Sequence, residues 1–248
     1  MRLDLFLVEN SKTESRKKAS DLIKNGLVFV NGKCINKPSF SVNEADNVEV
    51  KGSVCNYVGR GGIKLEGAVK EFNLDFKGKI CADIGSSTGG FTDCMLQNGA
   101  AKVYAVDSGK DQLHSRLRND IRVICMEGCN ARYLTADLLG EKCDMVTMDV
   151  SFISQTLLYE AVSKIIKENG LFISLIKPQF EVGKSYIGKN GIVKDEKARK
   201  SAVEKVIECA KDYGFVNIAT TQSSIKGGDG NIEFIGLFKY NVNTQKRI

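Results

Sequence analysis

Proline, histidine and tryptophan are scarce in this chain of 248 residues, which has two prolines, one histidine and no tryptophan. His114 is the single imidazole, and Cys125 and Cys129 are the closest cysteine pair, so we expect no bound metal. The eight cysteines show no C-x-x-C spacing, and several lie in apolar runs. This pattern is typical of reduced, buried thiols rather than of a disulfide framework.

Long apolar runs are also missing. No stretch approaches the roughly 20 apolar residues that cross a bilayer. The first ten residues, MRLDLFLVEN, mix charges into their apolar positions, unlike a signal peptide. These absences argue against a membrane-lytic protein and predict a cytoplasmic one without membrane segments. We expect a monomer or a weak dimer.

The net charge of +6 is unevenly distributed. Residues 1–60 hold ten basic and seven acidic residues, and residues 177–200 hold seven basic and three acidic ones. Two basic regions of this kind favour a polyanionic partner.

The first 51 residues have the pattern of a small domain with two helices and a hairpin. The first helix is predicted from helical spacing of apolar residues, and the second begins near Thr13 or Ser15. Asn25-Gly26 is expected to end it. The pair Asn31-Gly32, between LVFV and KCI, predicts a tight hairpin, and NVEV predicts a last short strand.

This segment closely resembles the S4 RNA-binding domain. The resemblance lies in R-L-D, in S-R-x-x-A, in L-I-x-x-G-x-V-x-V-N-G-K and in the K-P-S after it. It implies that the segment binds RNA. It favours phosphate contacts over a merely solvated helix face for a set of cationic residues. These are Arg2, Arg16, Lys17 and Lys18.

A glycine-rich stretch, residues 52–62 (GSVCNYVGRGG), is predicted as a linker. From 63 to 241 strand-like and helix-like segments alternate, which is typical of a mostly parallel sheet with helices on both faces. Helices are expected at 156–169 and 196–213. Residues 242–248 are expected to form a C-terminal tail. The predicted fold class is α/β, a Rossmann-like domain with seven strands. The strands are expected at KICADIG, KVYAVD, RVICME, DMVTMDV, LFISLIK, VNIATT and IEFIGLF.

The segment DIGSSTGGFT, residues 83–92, comes after the first of these strands and opens a helix. Its G-x-x-x-G-G spacing differs from the G-x-G-x-x-G of pyrophosphate binders, so a dehydrogenase is the weaker interpretation. Asp83 beside the turn and Asp107 at the next strand end suit a ribose-bearing cation such as S-adenosylmethionine. The alternative is that Asp83 only caps a loop. The predicted cofactor contacts are Asp83, Gly85, Ser86, Ser87, Thr88, Gly89, Gly90, Phe91, Asp107, Asn130 and Asp149.

The residues after the fourth strand, Asp149-Val-Ser-Phe152, narrow the choice of methyl acceptor. Enzymes that methylate base amino groups usually carry D/N/S-P-P-Y/F here, and carbon-5 methylases commonly have a cysteine beside proline. Both prolines of this chain are preceded by lysine. The sequence therefore argues against methylation of a base amino group and of base carbon 5. What remains is a set of charged residues near the predicted strand ends. Its members are Lys64, Asp149, Lys177 and Glu233.

This Lys-Asp-Lys-Glu order resembles the tetrad of FtsJ-like ribose 2′-O-methyltransferases. Together with the S4 segment, RGGIKLEGA, DIGSSTGGFTDC, DVSFIS, LIKPQFEVGK and IKGGDGNIEF resemble the TlyA, or hemolysin A, family of rRNA methyltransferases over nearly the whole chain.

The resemblance implies 2′-O-methylation of a cytidine in large-subunit rRNA, within a ribosomal subunit or an assembled ribosome. The small subunit is a possible second target. A non-catalytic assembly factor or a hemolysin is the alternative. Additional predicted RNA contacts are Arg60, Lys184 and Lys189.

Within this set Lys177 is predicted to be catalytic. A ribose hydroxyl must lose its proton as it accepts a methyl group. Lys177 can bind the hydroxyl oxygen and lower the pKa of that hydroxyl, or, if neutral, it can take the proton itself. The sequence leaves both possibilities open.

Overall fold

The protein divides into two compact units, Met1–Asn56 and Tyr57–Ile248, in a computed structural model. The structure describes residues 1–24, 26–51 and 56–244. No helix within these ranges is long and apolar enough to cross a membrane. The same ranges contain no group of three or more His, Cys, Asp or Glu side chains that could hold a metal ion.

The first unit packs two helices on a three-stranded antiparallel sheet. Its helices are α1 (Leu3–Glu9) and α2 (Arg16–Lys24), and its strands are β1 (Val28–Val30), β2 (Lys33–Cys34) and β3 (Val48–Val50), in the order β2-β1-β3. Asn31 (φ +49°) and Gly32 (φ +77°) both adopt the left-handed conformation that a tight Asn-Gly hairpin requires. The predicted helices and hairpin are confirmed. Asn25, predicted to end α2, lies outside the described residues.

Two arginines predicted to contact RNA have a structural partner in this unit. The Asp4 carboxylate, whose residue is 4% exposed, lies 2.9 Å from Arg2 Nε and 3.3 Å from an Arg16 terminal nitrogen. The hydrogen bond from Arg2 lowers the pKa of Asp4 to about 2. Arg16 therefore links the start of α2 to the start of α1, while Arg2 pairs within the start of α1. The two arginine side chains stay 49% and 60% exposed, and their contact with RNA remains a prediction.

The second unit is built on a seven-stranded sheet in the order β6-β5-β4-β7-β8-β10-β9. Neighbouring strands from β6 to β8 run parallel, whereas β10 runs antiparallel to both β8 and β9. The predicted α/β fold with a mostly parallel sheet is confirmed. Its strands are β4 (Ile80–Ile84), β5 (Lys102–Asp107), β6 (Val123–Glu127), β7 (Cys143–Met148), β8 (Ile166–Ile176), β9 (Phe215–Gln222) and β10 (Phe234–Tyr240).

Helices flank this sheet, and the core between them is aromatic on one side, where Tyr159, Phe172, Phe215 and Phe238 are fully buried. Burying such rings supplies much of the stabilising free energy of a core. The helices are α3 (Gly61–Phe72), α4 (Gly90–Gln97), α5 (Ser115–Arg118), α6 (Ala136–Leu139), α7 (Tyr159–Ile165), α8 (Pro178–Glu181) and α9 (Glu196–Asp212).

The predicted linker is too long at its C-terminal end. Tyr57 and Val58 are 9% and 8% exposed, and the Val58 N–H donates to Asp93 Oδ2 at 2.8 Å. Helix α3 already begins at Gly61. Residues 57–62 therefore belong to the second unit, where their glycines allow close packing. Residues 52–55 lie outside the described residues, as do 245–248 of the predicted tail, and Val242–Thr244 form a short 3-10 turn.

The helix predicted at 156–169 is wrong in its second half. A 3-10 turn at Gln155–Leu158 leads into α7, which ends at Ile165, and β8 starts at Ile166. Asn169 has φ +61°, and the pairing of β7 with β8 shifts register between Ile166 and Leu171. The Asn-Gly pair 169–170 forms an irregularity inside a strand rather than the end of a helix.

Candidate active site

The glycine turn between β4 and α4 lets neighbouring parts of the chain pack directly against its backbone. Gly85 has φ +80°, and a Cβ there would lie 2.5 Å from the carbonyl oxygen of Asp149. Gly89 has φ +93°, and a Cβ there would overlap the side chain of Leu117. Neither position tolerates a side chain, so the backbone at Asp149 packs against the start of the turn and Leu117 packs against its end, just before α4.

Asp83 supports this turn from beneath. Its side chain has no exposed surface, and its Oδ2 accepts hydrogen bonds from Thr92 N (2.8 Å) and Thr92 Oγ1 (2.6 Å). Its Oδ1 accepts one from Thr147 Oγ1 at 3.2 Å, and burial raises the pKa of Asp83 to about 7. The predicted direct contact of Asp83 with a cofactor is therefore corrected: both oxygens face protein atoms, and the residue caps α4.

The rest of the turn fits a bound polar ligand. Ser86 is 5% exposed, and its Oγ is buried without a hydrogen-bond partner, while Ser87 and Thr88 are exposed. An orphaned hydroxyl in a glycine cradle suits a group that brings its own polar atoms. Phe91, also predicted as a contact, is 4% exposed and packs beside Gly61, so it belongs to the core.

Asp107 lies at the edge of the same cradle. Its Oδ2 accepts from Ser87 N at 2.8 Å and its Oδ1 from Gly109 N at 2.7 Å. Each carboxylate oxygen still has a lone pair, so Asp107 can also accept from ribose hydroxyls. Asn130 is exposed and its Oδ1 accepts from Arg132 N at 3.1 Å, which places it on the neighbouring loop.

Glu127, which the sequence did not single out, fixes the loop beyond Asp107. Its carboxylate accepts backbone N–H bonds from Asp111, Gln112 and Leu113 at 2.7–2.9 Å. With the hydrogen bond from Arg118 as the largest cause, these contacts lower the pKa of Glu127 to about 2. Its position at the end of β6 was the available signal.

We expect Asp107→Ala to weaken the binding of S-adenosylmethionine at least about tenfold, because hydrogen bonds to a charged group are worth about 1.5–3 kcal/mol each. Isothermal calorimetry measures the effect. Asp120→Ala, which removes a partly exposed carboxylate paired with Arg122, is the control and should leave affinity unchanged. Unaltered affinity in Asp107→Ala would place the cofactor elsewhere.

Three of the four ionic residues, Asp149, Lys177 and Glu233, are brought to one edge of the sheet by strand ends, whereas Lys64 comes from helix α3 rather than from a strand end. Ile176, the last residue of β8, pairs with Phe234, the first of β10, so Lys177 and Glu233 leave the sheet together. Asp149 comes directly after β7, and its N–H donates to Ile84 O at 2.9 Å. Its Oδ2 lies 3.8 Å from where a Cβ on Gly61 would sit, at the start of the helix that carries Lys64.

One pair within this group is Lys64 with Glu233. Lys64 Nζ lies 2.6 Å from Glu233 Oε2, and the two residues are 8% and 3% exposed. A Cβ on Gly227 would overlap the Glu233 carboxylate, so the backbone of the loop before β10 covers this acid. A buried cation and a buried anion each cost several kcal/mol unless paired, so the two charges depend on each other.

The other pair is Lys177 with Asp149. Lys177 Nζ lies 2.5 Å from Asp149 Oδ1 and donates to Ser151 Oγ at 2.8 Å. Lys177 is 9% exposed, and the Asp149 side chain is 20% exposed. A lysine can therefore end a core strand because a carboxylate and a hydroxyl receive its ammonium group. Ser151 was missed from the sequence, although it lies two residues after Asp149.

Glu181 ties the loops of this second pair together. Its carboxylate accepts from Ser154 Oγ at 2.6 Å and from Gln155 N at 2.9 Å, and the residue is 6% exposed. Burial raises the pKa of the Glu181 carboxyl. Because Glu181 ends α8 and Ser154 ends the loop after β7, the contact fixes the segments that carry Lys177 and Asp149.

The remaining predicted RNA contacts occupy different places. Arg60 is exposed, and one of its terminal nitrogens donates to Lys226 O at 3.3 Å, in the loop that covers Glu233. Lys184 and Lys189 are exposed on the segment between α8 and α9. In the first unit, Lys18 Nζ lies 2.6 Å from a carboxylate oxygen of Glu14. Lys17 is exposed and forms no ion pair with another described residue.

Comparison with known proteins agrees with this architecture. The FtsJ-like methyltransferase family matches residues 57–240, and the S4 domain family matches residues 1–48. The Bacillus subtilis protein named "Putative rRNA methyltransferase YqxC" is 45% identical over 235 residues, which cover 94% of this chain and 84% of that protein.

Two further relatives cover the chain as fully. The Mycobacterium tuberculosis (strain CDC 1551 / Oshkosh) protein named "16S/23S rRNA (cytidine-2'-O)-methyltransferase TlyA" is 38% identical over 234 residues, 94% of this chain and 87% of that protein. A solved structure, "Putative hemolysin from Streptococcus thermophilus", is 41% identical with a TM-score of 0.78 and covers 100% of this chain and 91% of that one.

The strand order of the second unit, with its glycine turn after β4, is that of a Rossmann-like methyltransferase, and S-adenosylmethionine is the cofactor of this class. The chain belongs to the TlyA family of FtsJ-like methyltransferases that carry an N-terminal S4 domain.

Proposed function

We propose that this protein transfers a methyl group from S-adenosylmethionine to the 2′ oxygen of a ribose in ribosomal RNA. A cytidine of the large subunit is the expected target, with the small subunit as the second candidate. The name of the Mycobacterium tuberculosis relative gives a cytidine in 16S and 23S rRNA. We further propose that it acts in the cytoplasm on a ribosomal subunit or an assembled ribosome, as a monomer or weak dimer. The main observation behind the proposal is that two ion pairs, Lys64 with Glu233 and Lys177 with Asp149, lie in one site.

This ionic arrangement suits a hydroxyl acceptor better than a base. Among the described residues, the two ion pairs supply two lysines and two carboxylates, and Ser151 lies beside them. The cysteines Cys125 and Cys129 are not part of this group, because they lie on β6 and just after it. Carbon methylation would need a thiolate at the reacting carbon. A hydroxyl needs a partner for its proton and a cation for its oxygen, and both are present in the Lys177–Asp149 pair.

In the mechanism we propose, Lys177 Nζ turns from Ser151 Oγ to the ribose 2′ oxygen. As Lys177 turns, its ammonium group gives one proton to the Asp149 carboxylate, and the neutral Nζ then takes the hydroxyl proton. The pair ends with one proton more than it began with, and the Lys64 ammonium group stabilises the negative charge that grows on the oxygen. Glu233 keeps Lys64 in place, and the low exposure of Lys64, Lys177 and Glu233 limits competition from water. Asp149 thus orients Lys177 rather than touching the methyl group.

The glycine turn would hold the cofactor with a small set of groups. Ser86 Oγ and the backbone of Gly85 and Ser87 would meet its polar atoms, and Asp107 its ribose hydroxyls. When bound, S-adenosylmethionine supplies an electrophilic methyl group on a sulfonium. Asp83 would act indirectly, by holding the turn through Thr92.

Exposed residues around the site support an RNA substrate. Phe152, three residues after Asp149, is 89% exposed and has φ +66°, a conformation that is strained for an aromatic residue. An exposed ring at this edge can stack on an unpaired base. The S4 unit would add phosphate contacts through Arg2, Arg16, Lys17 and Lys18, with Arg60, Lys184 and Lys189 from the second unit.

Nucleoside mass spectrometry tests the proposal. Ribosomal subunits from cells that lack this protein are incubated with it and S-adenosylmethionine, and the RNA is then digested. We expect one added methyl group on a ribose, and resistance to alkaline cleavage at that nucleotide, because a methylated 2′ oxygen cannot attack the neighbouring phosphate. A methyl group on a base, or no methylation, would contradict the assignment; the latter would favour a non-catalytic assembly factor.

A further inference from the structure

A cavity near Lys177 is not used by the mechanism above. It has a volume of about 370 Å³ and lies between the segment after α8 and the first turns of α9. One wall carries Tyr186, and the opposite wall carries Lys197, Ser201 and Lys205, which recur every fourth residue along α9. Residues four apart share one face of a helix, so these three side chains form one row.

The charges in this cavity leave cations available to a ligand. The Asp195 carboxylate caps α9, where its Oδ1 accepts from Lys197 N at 2.8 Å and from Ala198 N at 3.2 Å. The Glu181 carboxylate is held by Ser154 and Gln155. Lys205 Nζ donates to Glu181 O at 3.1 Å and lies 3.9 Å from Glu181 Oε2, with its side chain 56% exposed. The Lys197 side chain is exposed and has no partner among the described residues.

The floor and wall of the cavity suit a flat ring. Ala198 and Ala202 line it, and both are small and buried, so no side chain fills the space. Tyr186 is 53% exposed and presents its ring on the other side. Aromatic rings bind unpaired bases of any type by stacking, and lysines at the rim bind phosphate without regard to sequence.

We propose that this cavity binds an unpaired nucleotide of the RNA substrate that lies near the methylated one, with its base on Tyr186 and its phosphate at Lys197 and Lys205. The proposal rests on RNA being the substrate of this site. Glu181, which lines the cavity, ends the short helix that starts directly after Lys177. Four helical residues span about 6 Å, so a neighbouring nucleotide can reach the cavity while the target lies at Lys177.

The test measures RNA affinity of the full chain by filter binding, with mixed-sequence single-stranded RNA that contains 5-iodouridine. Tyr186→Ala should weaken binding about 5- to 150-fold, the range that loss of one stacked base gives. Tyr186→Phe keeps the ring and should stay within about twofold of the unchanged protein. Lys197→Ala should reduce the salt slope by about 0.7, the value for one phosphate of a single strand.

The matched control is Lys211→Ala, which removes a lysine from the same helix, where it pairs with Glu208 away from the cavity. It should change neither affinity nor salt slope. Irradiation should crosslink the iodinated RNA to Tyr186, and peptide mass spectrometry maps the crosslinked residue. Circular dichroism of each variant confirms that the fold is kept.

The two proposals fail separately. Affinity in Tyr186→Ala within twofold of the unchanged protein, with no crosslink at Tyr186, overturns the nucleotide cavity even if ribose methylation is found. A crosslink at Tyr186 with the expected affinity losses supports nucleotide binding in the cavity even if the methyl group proves to be on a base. In that case only the proposed acceptor, the ribose 2′ oxygen, is wrong.

Discussion

Lys177→Ala should lower kcat for RNA methylation at least about 100-fold while leaving the fold and the affinities for both substrates nearly unchanged. General acid–base groups typically contribute about 10²–10⁴-fold to a rate. The structure supports a value in this range because Lys177 Nζ, at 2.5 Å from Asp149 and 2.8 Å from Ser151, stands where the strand ends meet. Removing it takes away both the cation and the route for the proton.

Arginine at this position should not restore the rate. A guanidinium group stays protonated, and its planar fork places charge differently from a compact ammonium group. The Ser151 hydroxyl and the Asp149 carboxylate are arranged around a single nitrogen atom. We therefore expect Lys177→Arg to remain at least about tenfold slower than the unchanged enzyme.

The control is Lys164→Ala, which also removes a lysine from an ion pair, but an exposed one with Glu160 on α7. It should leave kcat unchanged. Single-turnover measurements with saturating S-adenosylmethionine separate the methyl-transfer step from product release. A Lys177→Ala enzyme with a single-turnover rate within tenfold of the control would show that another group activates the acceptor.

The position of three of the ionic residues could be predicted from the sequence because it depends on strand topology rather than on side-chain direction. Lys64, on helix α3, is the exception. Lys177 comes after one apolar run and Glu233 before another, and any sheet with these strands as antiparallel neighbours brings them to one edge. Asp149 lies on the same edge because its strand runs parallel to β8. The alternation of strands and helices was visible in the sequence, and it placed the candidate site as well.

Side-chain burial was not visible in the same way. Asp83 has the sequence position of a ligand contact, yet its carboxylate faces Thr92 and Thr147 inside the fold. Glu181 and Glu127 look like ordinary surface acids, but tertiary contacts give each a set of donors. Such contacts join residues nine or more positions apart, and no local pattern encodes them.

The Lys64–Glu233 pair gives the largest expected change in stability. Glu233→Ala leaves the Lys64 ammonium group buried without its partner, and breaking a buried pair in this way typically costs about 3–5 kcal/mol. Methylation should fall as well, because Lys64 is no longer held. Urea unfolding monitored by circular dichroism measures the loss, since the chain has no tryptophan to report by fluorescence.

Two comparisons make this result specific. Glu66→Ala breaks an exposed pair with Lys70 on the same helix and should cost less than about 1 kcal/mol. The double variant Lys64→Met with Glu233→Leu replaces both charges by apolar groups of similar volume, and it should recover most of the lost stability. It should nevertheless stay inactive, because the charge at the acceptor is gone.

This combination separates a structural role from a functional one. A pair kept only for stability would give a double variant with normal methylation, and a solvated pair would give a loss below about 1 kcal/mol for Glu233→Ala. Lys64 is 8% exposed and Glu233 is 3% exposed, under the covering loop of Gly227. At this burial two opposite charges bring little net stability over apolar groups, which agrees with the role in methylation proposed for the pair.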